Sequence, residues 1–93
     1  MANIRNLKKD VDYVVYELLS DCATYQMMNS GQKAEQVGEL MNGAFQIRQD
    51  LFNKINNPSI PEGKKAKAFY KEIYIELLKR ADDSFKKLSE IVK

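Results

Sequence analysis

Apolar residues recur along most of this chain at steps of three and four, the repeat of one face of an α-helix. The first run is Ile4, Leu7, Val11, Val14, Val15, Leu18, Cys22 and Tyr25. It predicts an amphipathic helix over about 3–29, with Asn3 as its cap. Asn29-Ser30-Gly31 then offers residues that tolerate a left-handed C-terminal position. A second run over 32–56 sets Val37, Leu40, Met41, Ala44, Ile47, Leu51 and Ile55 on one face, with Phe45 and Phe52 on its flank. Gly38 and Gly43 interrupt the composition but not the phase, so one continuous helix is expected across Asn42-Gly43. Asn57 precedes Pro58, which steers it away from helical angles, and the helix should stop there.

Ser59-Ile60-Pro61-Glu62 reads as a capping box with proline in the first turn, where its missing donor costs nothing. A third helix is therefore expected over 60–92. It carries Ala66, Phe69, Tyr70, Ile73, Tyr74, Leu77, Leu78, Ala81, Phe85, Leu88, Ile91 and Val92 on an arc of roughly 180°. An arc that wide should touch both other helices. Tight turns between long helices permit only antiparallel neighbours, so the expected fold is all-α: an antiparallel three-helix up-down-up bundle over 3–93. Leu18, Val14, Leu40, Leu51, Ile73 and Leu77 lie mid-arc and should form its buried centre.

With 93 residues there is room for one domain, and 44% hydrophobic with 30% charged residues indicates neither disorder nor a fibrous class. Fifteen basic against thirteen acidic residues leave a net charge of +2, too balanced to concentrate polyanions, so charge alone does not imply nucleic acid. The longest apolar run, Tyr13-Val14-Val15-Tyr16, falls far short of the roughly 20 residues of a membrane span. The first six residues lack the order of a secretory signal, and a cytoplasmic setting is the expectation.

Catalytic chemistry finds little material. There is no histidine, hence no imidazole base, no nucleophile activator of that kind and no glutamate-x-x-histidine ligand pair. No metal or cofactor is expected, and no enzymatic activity. Glu35/Glu39 and Glu72/Glu76 have i,i+4 spacing but lie off the apolar stripes, as solvated faces do. The lone Cys22 sits mid-stripe, where burial would raise its pKa and quiet it.

Two surface features remain. Opposite the main stripe, the first helix carries Tyr13, Tyr16, Ser20, Ala23 and Met27 at heptad spacing, where a bundle normally presents charge. Tyrosine buries a large ring while keeping a polar tip, so this seam suits an interface; alternatively the rings lie flat or fill the groove towards helix three. Paired with its own copy, the seam would give an isologous homodimer. The other feature is basic: Lys64, Lys65, Lys67 and Lys71 crowd the expected start of helix three, and Arg48 falls near the centre of helix two's stripe. Either Arg48 packs its stem and sends its head to a carboxylate (Asp10, Glu17 or Glu72), or it binds a buried anion. By the same height-matching, Asp21 should meet Arg80 or Lys79.

From Ile4-Arg5-Asn6-Leu7-Lys8-Lys9-Asp10-Val11-Asp12-Tyr13 onward the chain resembles short uncharacterised helical proteins of Bacteroidetes bacteria, over its whole length. That resemblance implies a bacterial cytoplasm and carries no functional residue with it. The expected function is thus a protein-interaction module presenting a helical surface, with a small nucleic-acid or anion-binding protein as the alternative.

Overall fold

A computed structural model describes residues 4–29 and 33–92. Three helices, α1 (Ile4–Met28), α2 (Ala34–Asn56) and α3 (Ala66–Val92), all pack against one another. Cross-helix bonds set their directions. Arg48 on α2 reaches Asp12 on α1 while Gln26 reaches the Ala34 carbonyl, so these two run antiparallel. Lys54 pairs with Glu76 while Lys33 reaches the Ile91 carbonyl, so α2 and α3 do the same. The result is the up-down-up three-helix bundle, a rod 51 Å long and 19 by 18 Å across. The expected Asn3 cap and the Ser30-Gly31 turn lie outside the described residues.

The buried stripes follow the heptad spacing. On α1 they are Leu7, Val11, Val15, Leu18, Cys22 and Tyr25; on α2, Val37, Leu40, Ala44, Ile47, Leu51 and Ile55. Leu18, Leu40, Leu51, Ile73 and Leu77 are buried as expected, but Val14 is only half-buried. It lies towards the α3 side of the α1 stripe, at the margin of the core. α2 is unbroken through Asn42-Gly43, and at its start Lys33 takes a left-handed conformation with φ 56°. Its ammonium caps the last turn of α3 by donating to the Ile91 carbonyl at 2.7 Å.

α3 departs from expectation at its start. The chain leaves α2 at Asn57 and stays non-helical through residue 65, so Ser59-Ile60-Pro61-Glu62 caps nothing. The reason is Gly63, whose φ of +85° no helix accommodates. With Glu62 and Gly63 at the corners, the Lys64 amide donates to the Pro61 carbonyl at 3.1 Å, closing a turn that directs the chain away from a helix beginning at 60. Helical bonding starts only where the Phe69 amide meets the Lys65 carbonyl.

This late start slides α3 along its neighbours. Lys54 meets Glu76, and Arg80 meets Asp50 at 3.1 Å. Arg80 is thereby taken, and Asp21 stands instead at the height of Leu88 and Val92, exposed, so the expected pairing of Asp21 with Arg80 or Lys79 does not form. The wide apolar arc is also only partly used. Ile73, Leu77, Ala81 and Leu88 are buried, whereas Tyr74, Leu78 and Val92 reach the surface. α3 touches both partners but leaves apolar side chains over.

Candidate functional site

The outer seam of α1 is where the sequence placed it. Taking about 100° per residue, Tyr13, Tyr16, Ser20, Ala23 and Met27 centre almost diametrically opposite the buried stripe of the same helix. All five are exposed, with Tyr13 at 71%, Tyr16 at 74% and Met27 at 84%. Neither tyrosine fills the groove towards α3, so the seam has no cover from its own chain. Seven-residue spacing on both faces makes α1 apolar inside and semi-apolar outside. Asp12 and Glu17 flank the seam on either side and keep it wetted.

A second exposed apolar strip runs along α3, and sequence reading missed it. Ile75 is 53% exposed and Leu78 46%, with Tyr74 beside them and Val92 further along. The signal was present. Ala68, Lys71, Ile75, Leu78, Asp82 and Phe85 follow one another at steps of three and four, a second heptad track of which only Leu78 and Phe85 belong to the expected apolar arc. Between the far ends of α1 and α3 an open groove of about 460 Å³ is lined by Tyr25, Met28, Leu88 and Val92, with Asp21 and Thr24 on its rim.

The five candidate anion contacts are not brought together. The Arg48 Nε donates to Asp12 Oδ1 at 2.6 Å, and its guanidinium lies 4.2 Å from the centroid of the Phe52 ring. Its partner is therefore Asp12 rather than Asp10, Glu17 or Glu72. Arg48 is no buried anion site either, because its side chain is 47% exposed. Taking about 100° per residue, the α2 stripe centres near Ala44 and Leu51, roughly 50° from Arg48, which stands on the flank facing α1. Lys8 approaches the same ring at 5.9 Å. At the other connection Lys64 is paired with Glu72 and precedes α3 altogether. Lys65, Lys67 and Lys71 are exposed; Lys67 and Lys71 stand one turn apart on the same face of α3, and Lys65 precedes the helix.

Elsewhere the charges form a structural brace. The Gln46 amide donates to Asp50 Oδ1 at 2.7 Å, Arg80 bridges Asp50 and Glu76, and Lys54 closes the chain on Glu76. The Gln46 amide and then the Arg80 guanidinium hold the Asp50 carboxyl below its ordinary pKa. Glu72 and Glu76 are thus both paired with cations. Burial, reinforced by the nearby Asp21 charge, raises the Cys22 thiol above its usual value. Among the described residues no cluster of three metal-ligating side chains occurs, and no helix is long and apolar enough to cross a membrane. The chain matches no protein-family model, no curated protein and no solved structure.

Proposed function

We propose that this protein is a non-enzymatic interaction module that self-associates through the outer seam of α1. The observation that supports it is the exposure of Tyr13, Tyr16 and Met27 along one straight track, with small residues between them and no intrachain cover. A strip of that kind is more apolar surface than a domain this small gains from showing to water. Tyrosine rings with solvated hydroxyls are suited to a surface that is alternately wet and covered.

Light scattering coupled to size-exclusion chromatography reads the assembly mass. At about 100 µM the wild type should run as a dimer, the concentration range following from the modest area of one helix face. Tyr16→Asp should return it to a monomer, with a melting temperature equal to that of wild type when both are measured below the dimerisation range, because Tyr16 is 74% exposed and takes no part in the core. A monomeric wild type removes the self-association proposal. The second reading, an anion or nucleic-acid binder, is favoured only by the exposed Lys65, Lys67 and Lys71. Retention on immobilised DNA that falls steeply with salt would move the assignment there.

A further inference from the structure

We infer that the partner on the α1 seam is a second copy lying antiparallel to the first, about a two-fold axis that passes beside Glu17. This rests on the self-association proposed above and fixes its geometry. Lys9, Tyr13, Tyr16, Ser20, Ala23 and Met27 follow at steps of four, three, four, three and four, the alternating inward positions of a two-helix seam. In an antiparallel pair each of these positions faces its alternate on the partner. One register sets Tyr13 opposite Ala23, Tyr16 opposite Ser20 and Lys9 opposite Met27. Each ring then meets a small residue, and the Lys9 stem lies along the methionine with its ammonium in water.

A parallel pair does the reverse. It stacks Tyr13 on Tyr13, Tyr16 on Tyr16 and Lys9 on Lys9, and leaves small residues facing each other at Ser20 and Ala23. Rings hold the helices apart where the small residues need them close. Charge separates the two arrangements as well. The end of the rod formed by the start of α1 and the start of α3 exposes Arg5, Lys9, Lys65, Lys67 and Lys71 against Asp10 and Glu62, with Asp12 tied to Arg48 and Glu72 to Lys64. At the opposite end Asp21, Glu35, Glu39 and Glu90 are exposed beside Lys33, which is tied to the Ile91 carbonyl, and Lys87. Antiparallel pairing sets the basic end of each copy against the acidic end of the other; parallel pairing sets like against like.

The contact is small. Two tyrosines at roughly 150 Å² each, with Met27 and the small residues, bring about 500 Å² per copy, below the roughly 800 Å² of a standard interface. A contact of that size belongs with small, transient interfaces, and the dimer is reversible.

Cysteine cross-linking tests the orientation. In the antiparallel register the two Glu17 side chains flank the axis on the same side of the seam, whereas in a parallel pair they lie on opposite sides. In the parallel pair it is the Ala23 residues that face each other, whereas in the antiparallel register they stand about 15 Å apart along the seam. Glu17 and Ala23 are both exposed, so Glu17→Cys and Ala23→Cys leave the core intact, and the native Cys22 is buried beyond reach of a second chain. Under mild oxidation at about 100 µM, Glu17→Cys should form a covalent dimer at least about tenfold faster than Ala23→Cys. Ala23→Cys linking as fast or faster, in a protein that light scattering shows to be dimeric, overturns the antiparallel geometry and leaves self-association standing. A monomer by light scattering overturns both.

Discussion

The inner and outer tracks of α1 share one helix, one spacing and opposite fates. Leu7, Val11, Val15, Leu18 and Cys22 are between 0% and 3% exposed, while Tyr13, Tyr16 and Met27 are between 71% and 84% exposed. Both advance by threes and fours, so period alone says that residues share a face and nothing about whether the face is covered. Composition carries the distinction. Branched aliphatics and a thiol dominate the covered side, which ends on the buried Tyr25; two tyrosines with their hydroxyls in water, two small residues and Met27 line the open one.

The largest effect should come from exchanging alanine into the two tracks. Leu18 is 1% exposed at the middle of the core, so Leu18→Ala should cost about 2–5 kcal/mol through lost transfer energy and an unfilled cavity. Tyr16→Ala, measured below the dimerisation range, should lie within about 0.5 kcal/mol of wild type. Urea unfolding gives both values. Cys22, four residues beyond Leu18, offers a second readout: buried and with its pKa raised, its thiol should react with alkylating reagents only when the bundle opens, and faster in Leu18→Ala than in wild type. Equal costs at positions 16 and 18 would mean that the outer track is covered in the monomer.

The same contrast explains what was legible beforehand. The stripes of α1 and α2 and the outward seam follow from periodicity, because each is a property of one helix read along its own axis, and their antiparallel course follows from the shortness of the connection. What failed depended on a single backbone angle. Ser59 and Glu62 satisfy the spacing of a capping box, but Gly63 at φ +85° turns the chain before any helix can follow. From that one residue the rest followed: α3 starts at Ala66, its register against α2 moves, Arg80 goes to Asp50, and Asp21 is left in solvent. The apolar strip of Ile75 and Leu78 was hidden for a different reason. Leu78 sits at the edge of the apolar arc and Ile75 beyond it, and a periodicity read towards the core passes over apolar side chains outside its arc.

α2 repeats the inside-outside contrast at adjacent residues and supplies a smaller effect of opposite sign. Ala44 is fully buried against the core, while a Cβ built on Gly43 would meet nothing within 4 Å. Gly43 sits in a regular helix without positive φ, so an added methyl costs no strain and removes freedom from the unfolded chain. Gly43→Ala should stabilise the bundle by about 0.5–1 kcal/mol, seen as a raised urea midpoint at unchanged slope. A loss of stability would show that α2 needs its flexible point at Asn42-Gly43.

The smallest effect lies on the flank between the two tracks, where Asp12 receives Arg48 at 2.6 Å. Both side chains are about half exposed, and a double-mutant cycle on such a pair should return about 0.2–1 kcal/mol. Arg48 has a second contact that Asp12 lacks, since its guanidinium lies over the Phe52 ring at 4.2 Å and that ring packs on the core. Arg48→Ala should therefore cost more than Asp12→Ala, by roughly the 0.5–1 kcal/mol of an exposed cation–π contact. In Phe52→Leu, which keeps apolar volume but loses the ring, that difference between the two substitutions should shrink towards zero. If Asp12→Ala proves as costly as Arg48→Ala in the wild-type background, the ion pair alone holds the arginine. Its place beside the apolar stripe then owes nothing to the aromatic face.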